Sequence, residues 1–290
     1  MGAAPRLNGR EARGRVTPTI RFDPKRRMSR VERARYLVEE FERAAIDFIQ
    51  KHKVSHDEFR VATTLLLDSI KSGEESLLFD VFLAAAAMDT ENHDRDGSPE
   101  GIEGPFYFPG APELGAPFKL TQRPDEKGEL LFFKGVVTSA SGAPLRGAEL
   151  DIWQADADGE YSKINPTLPE WNLRGRLSTD ENGAFEVQSI LPPPYEIPKN
   201  GPTGQVLELL GRHCFRPAHL HVKVRAEGHK ELTSQLYFEG GDYLDSDVAR
   251  AVRDNLIAKL IRYQGKNAVE HKGLERPFVE LTYNFALEPA

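Results

Sequence analysis

Cysteine is almost missing from this 290-residue sequence, with Cys214 the only one. A lone thiol excludes an intrachain disulfide and a cysteine-ligated zinc site. Long apolar runs are missing too. No stretch reaches the roughly 18 apolar residues that read as a transmembrane helix. The first residues are basic and polar, without the apolar core of a signal peptide. Internal repeats and low-complexity tracts are absent. With 39% apolar and 29% charged residues, the composition is that of a globular protein. A cytoplasmic enzyme, with no membrane partner, is the default expectation.

Positive charge is in deficit, but unevenly. The net charge is −7; residues 1–30 hold nine Lys/Arg against two Asp/Glu, and the rest holds 29 against 43. An acidic body argues against nucleic acid as substrate or partner. The basic arm has no interleaved aromatics apart from Phe22, so it too lacks a nucleic-acid pattern. Pro5, Pro18 and Pro24 make residues 1–28 an irregular arm. It is expected to fold onto an acidic body, its own or a partner subunit's.

Helical signals follow. Ser29 with Glu32, and Ser55 with Glu58, are capping boxes that open two helices. Leu37, Phe41, Ala44, Ala45, Phe48 and Ile49 form the apolar face of the first. Phe59, Ala62, Leu65, Leu66 and Ile70 form that of the second, which ends at Gly73. A third helix is expected from Glu74 to Met88. Its segment Leu77 to Ala87 is apolar nearly all round except for Asp80, the pattern of a helix buried against other helices or another subunit. Thr90 to Gly101 reads as a polar linker.

The character then changes to short alternating runs. Strands are expected at Leu130 to Val137, Ala148 to Trp153, Arg176 to Thr179, Ala184 to Ile190, His219 to Val224, Leu232 to Phe238 and Phe278 to Phe285. Asp180-Glu181-Asn182-Gly183 reads as a hairpin turn, and Ser246 to Gln264 as an amphipathic helix. The fold class is mainly β with an α-helical N-terminal region. It divides into an arm (1–28), a helical dimerisation region with linker (29–101) and a β-sandwich catalytic domain (102–290).

The chemistry centres on Arg216-Pro217-Ala218-His219-Leu220-His221-Val222-Lys223-Val224. Strand side chains alternate, so His219 and His221 share a face while Leu220, Val222 and Val224 take the other. Two imidazoles so placed can reach one metal ion, or they are merely solvent-facing. Zinc would need a further His, Asp, Glu or Cys; His213, Cys214 and Asp242 are available but at no recognisable spacing. Tyr161 follows the turn Asp158-Gly159-Glu160, and Tyr195 is fixed between Pro194 and Pro198. A bound cation can deprotonate a phenol. Phenolate is a hard donor, so two His and two Tyr suit ferric iron better than zinc or copper. Alternatively both tyrosines are core aromatics.

In order and spacing, residues 30–290 resemble the intradiol ring-cleavage dioxygenases, catechol 1,2-dioxygenase group. The resemblance is carried by Ile102-Glu103-Gly104-Pro105-Phe106-Tyr107, Asp151-Ile152-Trp153-Gln154-Ala155, Asp158-Gly159-Glu160-Tyr161-Ser162 and Leu173-Arg174-Gly175-Arg176. It continues in Pro194-Tyr195-Glu196-Ile197-Pro198, Gly201-Pro202-Thr203-Gly204, Gly211-Arg212-His213, Arg216 to His221 and Leu232-Thr233-Ser234-Gln235-Leu236. It implies one non-haem Fe(III) per chain on Tyr161, Tyr195, His219 and His221. Arg216 matches the active-site arginine and Gln235 a nearby glutamine. Leu77, Ile102, Pro105, Phe106, Phe238, Glu239 and Gly240 match pocket positions, with Glu239 expected to point outward.

The implied reaction cleaves catechol with O₂ to cis,cis-muconate, Tyr195 taking a substrate proton and Arg216 steadying negative charge. Trp153 reads as packing beneath the metal and Cys214 as a small hydrophobe. His213 reads as a helix-end or supporting group. The resemblance also implies a homodimer through the helical region, with a phospholipid site there in several members. A hydroxyquinol or chlorocatechol enzyme would keep the ligands and change the pocket. A non-catalytic metal-binding β-sandwich module would keep the strands alone.

Overall fold

A computed structural model describes residues 28–290. The basic arm, except for Met28, lies outside the described residues. The described residues fall into two compact units, 28–63 and 64–290. No helix among the described residues is long and apolar enough to cross a membrane.

In the first unit, helix α1 spans Arg30–His52. Its start is set by the expected box: Ser29 accepts from the Glu32 amide, and the Glu32 side chain accepts from the Ser29 amide. Lys53, in the left-handed region, ends it. Helix α2, His56–Ser72, starts in this unit and is opened by the Ser55–Glu58 box.

In the second unit, α2 ends at Gly73 (φ 73°). Then come α3 (Glu75–Phe79), a π-helical turn (Asp80–Ala84) and α4 (Ala85–Asn92). The third expected helix is therefore present, but it runs four residues further, into the expected linker. The π turn also breaks its periodicity. It buries Leu77, Leu78, Val81 and Met88, while Phe79 and Leu83 stay exposed on this chain.

Twelve strands follow. One sheet holds β1 (Leu130–Ser139), β4 (Ala184–Ile190), β10 (Leu260–Tyr263), β11 (Phe278–Thr282) and β12 (Phe285–Leu287). Strand β1 is its centre, antiparallel to β4 on one side and parallel to β11 and β12 on the other. The second sheet has the order β3 (Arg174–Ser178), β2 (Glu149–Trp153), β7 (His219–Arg225), β8 (Leu232–Phe238), β9 (Ile257–Ala258). A two-stranded ribbon pairs β5 (Tyr195–Glu196) with β6 (Phe215–Arg216). Helices α5 (Pro202–Leu209) and α6 (Gly265–Lys272) complete the unit.

One core joins the two large sheets. Leu131, Phe133, Val137, Val187, Val279, Leu281 and Phe285 of the first meet Leu150, Ile152, Leu177, Leu220, Val222, Val224, Leu236 and Phe238 of the second. This is the expected sandwich, built by period-2 alternation.

Three local expectations are corrected. Asp180 does form a turn, its Oδ1 accepting from the Asn182 and Ala184 amides. The flanking strands are nevertheless not a hairpin: β3 pairs with β2 and β4 with β1, so the turn carries the chain between sheets. The expected strand 278–285 is two strands, because the Tyr283 carbonyl crosses where Gly135 has no side chain; a Cβ on Gly135 would stand 1.8 Å from that oxygen. The expected helix 246–264 is a loop, a 3₁₀ turn (Asp254–Leu256) and strands β9 and β10. Asp247 holds that loop, accepting from the Ala249 and Ala251 amides, and so competes with helical bonding.

Candidate active site

The site is built on the second sheet, on the face turned away from the shared core. Register places Trp153 opposite His221, and His221 opposite Gln235. One pair along, His219 faces Tyr237. Since Leu220, Val222 and Leu236 go to the core, alternation brings Trp153, His219, His221, Gln235 and Tyr237 together on the other face.

Two loops deliver the tyrosines. Tyr161 leaves the turn at Gly159, whose φ is 84° and whose absent Cβ would stand 3.0 Å from the Tyr195 Cβ. Glycine there serves both the turn and the approach of Tyr195. Tyr195 is held on β5, paired with Arg216. The two phenol rings lie 5.4 Å apart at 74°, and Tyr195 is 5.6 Å from the His219 ring. Tyr161 is 6.1 Å from the His221 ring.

Polarity at this cluster is unusual. The four residues are buried. The Nε2 atoms of His219 and His221 stand 3.0 Å apart. His219 Nδ1 is 2.7 Å from the Pro217 carbonyl; donation there leaves Nε2 as a free lone pair. Burial, then the charge of Arg216, pushes His219 down to about 3. Burial, then His219 and Arg216, drives His221 well below the usual imidazole value. Both rings are thus neutral nitrogen donors. Tyr161 Oη is buried without a hydrogen-bond partner. Burial holds its proton well above the usual phenol range, with a smaller push from Tyr195; the two oxygens influence each other but form no hydrogen bond by geometry. Burial likewise raises Tyr195, against the pull of Arg216.

These observations fit a metal. Nitrogen–metal bonds of about 2.1 Å at roughly right angles put two nitrogens about 3 Å apart. An orphaned phenol oxygen beside them is the kind of buried group that calls for a partner. No group of three or more His, Cys, Asp or Glu forms a metal site among the described residues; the two buried tyrosines stand beside the histidines as further oxygen donors.

Around the cluster the supporting groups fall into place. Trp153 stacks on His221 at 4.6 Å and 11°. Gln235 presents its amide nitrogen 3.3 Å from His221 Nδ1, and its Oε1 accepts from Arg216 and Tyr237. Arg216 is buried. Burial opposes its charge, but Asp247, Tyr237 and Tyr195 hold the guanidinium firmly protonated. His213 sits away from the cluster, 3.0 Å from Ser246 Oγ and accepting from the Phe215 amide.

An adjoining small cavity is lined by Leu77, Val81, Ile102, Gly104, Pro105, Phe106, Ile197 and Ala249, with Asp80, Tyr195, Arg216 and His221 as its polar groups. Leu77, Ile102, Pro105 and Phe106 are where the sequence put them. Phe238, Glu239 and Gly240 are not among the lining residues: Phe238 packs in the sandwich core, while Glu239 and Gly240 are exposed. Glu239 does point outward. Sequence reasoning missed Asp80, Val81, Tyr237, Asp247 and Ala249 as site residues. Tyr237 was within reach, since it is two residues from Gln235 on the same strand. Asp247 was hidden by the mistaken helix. A larger groove of about 910 Å³ runs past Phe118, Phe132, Lys134 and Phe185, but contains none of the expected site residues.

Known proteins resolve the class. A family profile described as "Dioxygenase" matches residues 102–289. Chlorocatechol 1,2-dioxygenase of Rhodococcus opacus is 41% identical over 224 residues, 76% of this chain and 87% of that protein. Catechol 1,2-dioxygenase of Pseudomonas sp. strain EST1001 is 37% identical over 203 residues, 70% of this chain and 67% of that one. The crystal structure of 3-chlorocatechol 1,2-dioxygenase from Rhodococcus opacus 1CP superposes with a TM-score of 0.82 at 42% identity, covering 90% of this chain and all of that one.

The chain belongs to the intradiol ring-cleavage dioxygenases. Within them it falls in the catechol 1,2-dioxygenase group, whose members depend on non-haem iron.

Proposed function

We propose that this enzyme cleaves catechol and its ring-chlorinated relatives with O₂, between the two hydroxylated carbons. Catechol would give cis,cis-muconate. One Fe(III) per chain would be held by Tyr161, Tyr195, His219 and His221. When bound, it supplies Lewis acidity and a template for the two catechol oxygens.

The protein's own groups do the rest. Tyr195 lines the cavity, so as a phenolate its Oη is placed to take the proton of a substrate hydroxyl. Arg216 lines the cavity, where its fixed charge would favour a negatively charged ring over a neutral one. Leu77, Val81, Ile102, Pro105, Phe106 and Ile197 exclude water and orient the ring.

The observation that carries the substrate class is this apolar wall. Chlorine or methyl substituents are compatible with it. The carboxylate of protocatechuate would be buried without a cation of its own, which is costly, and would face Asp80. Hydroxyquinol is the second reading, because Asp80 could accept a hydrogen bond from a third hydroxyl.

Oxygen uptake with catechol, 4-chlorocatechol, hydroxyquinol and protocatechuate tests these readings together. Catechol and 4-chlorocatechol are expected to be turned over fastest, and protocatechuate slowest. A yellow extradiol product from catechol, or protocatechuate as the best substrate, would overturn both the cleavage mode and the pocket reading. Hydroxyquinol as the best substrate would favour the second reading.

A further inference from the structure

Arg216 is held by an unusually complete set of acceptors. Its Nε donates to Asp247 Oδ1 at 3.1 Å, and its Nη2 to Asp247 Oδ2 at 3.2 Å. The same Nη2 donates to Gln235 Oε1 at 3.0 Å and to Tyr237 Oη at 2.9 Å. Those bonds use Nε and Nη2 rather than Nη1; Tyr195 lies close enough to the guanidinium to feel it, and Arg216 lines the cavity. Two of the three guanidinium nitrogens are committed to protein, which leaves Nη1 for whatever occupies the cavity.

Asp247 does more than neutralise this charge. Its side chain is 1% exposed. Oδ1 also accepts from the Ala249 amide at 3.1 Å, and Oδ2 from the Ala251 amide at 2.9 Å. Ala249 is part of the cavity wall. A single carboxylate therefore fixes the plane of the guanidinium and the course of the wall beside it. A fork-to-carboxylate contact constrains direction as well as distance.

We propose that Asp247 is a positioning residue for ring cleavage: by clamping Nε and Nη2, it aims Nη1 of Arg216 at the bound ring. This rests on the proposed role of Arg216. Without the clamp the guanidinium keeps its charge but loses its direction. The loss should fall on turnover, where the charge on the ring develops, more than on substrate binding.

The test is a double-mutant cycle on the iron-loaded enzyme, using Asp247→Asn, Arg216→Lys and the pair. Asp247→Asn should lower kcat with catechol by about 10- to 100-fold, the usual range for supporting residues at such sites. KM should change less. Iron content and the visible absorption of the resting enzyme should be retained. The double variant should be no slower than Arg216→Lys alone, because the clamp acts only through Arg216. Wild-type kcat in Asp247→Asn, or a loss that adds in full to that of Arg216→Lys, would overturn the proposal. Should Asp247→Asn fail to fold, Asp247→Glu keeps the charge; it should melt near the wild type yet turn over more slowly, and wild-type kcat there would overturn the proposal equally. A wild-type enzyme with no ring-cleaving activity would instead overturn the reading of the site on which the proposal rests.

Discussion

At the scale of single residues, the proposed metal site rests on the phenols. Tyr161 Oη, like Trp153 Nε1, is a buried polar atom left without a partner near the two histidines, and of the two it is the one that can act as a metal donor. Tyr161→Phe removes that oxygen and keeps the ring. Purified variant protein should hold less iron than the wild type, and its visible band should shift or weaken. Unchanged colour and unchanged iron by elemental analysis would rule Tyr161 out as a ligand; zinc in place of iron in active wild-type protein would rule out the whole assignment. Arg216→Lys keeps a charge but discards the fork that Asp247 grips. Turnover of catechol should fall more than its affinity measured without oxygen; weaker affinity with kcat unchanged would mean Arg216 serves binding alone. Much of this was legible in the sequence, because alternation along one strand is enough to pair His219 with His221. The acceptors of Arg216 were not. They come from β8 and from a loop about thirty residues away, and no local spacing links them.

Elements set how well these residues hold their places. The turn before Tyr161 depends on Gly159 at φ 84°. Alanine there would face both a left-handed backbone, costing about 1–2 kcal/mol, and the Tyr195 Cβ at 3.0 Å. Gly159→Ala should lower the melting temperature and weaken iron retention together, since the strain falls between the two tyrosines. Loss of stability with full iron retention would show that the turn and the site are separable. Helix starts were readable because capping boxes are local, and Ser29 and Ser55 behave as their sequences say. Strand partners were less so. The turn at Asp180 has hairpin chemistry, yet its two strands go to different sheets; a turn fixes a change of direction, and packing chooses the partner. The loop after Tyr243 failed for a similar reason: its apolar residues have helical spacing, but Asp247 ties up the amides.

For the molecule as a whole, two properties follow from what is covered and what is not. None of α1 is buried, and Val38, Phe41 and Phe48 stand exposed on it. A face of that kind needs a cover. We propose that residues 29–89 cover it in a homodimer, and sedimentation at micromolar concentration should show a dimer; a monomer would overturn the proposal. Phospholipid released by organic extraction would extend the same reading to a bound lipid. The second property is pH dependence away from the active site. Glu280 on β11 has a side chain only 2% exposed, held by Lys134 and His271. Burial would raise its pKa, but these partners outweigh burial and hold it below the ordinary 4.5. A carboxyl lowered on folding contributes stability above its unfolded value and loses it as pH falls through the folded one. Glu280→Gln should thus lower the melting temperature at neutral pH, with the gap narrowing as the pH falls below the ordinary 4.5 and through the lowered folded value. A gap that widens on acidification would contradict the sign.

Strand β1 also has a consequence for how the chain is made. Its antiparallel neighbour β4 leaves the ribosome soon after it, but its parallel neighbours β11 and β12 do not. Lys134 and Glu280, joined across that seam, are 146 residues apart. Until β11 and β12 emerge, a nascent chain carries one side of β1 as an open template, with half of the sandwich core uncovered. Synthesis that stalls beyond β8 would leave every proposed iron ligand already made, on a sheet whose packing partner is still incomplete.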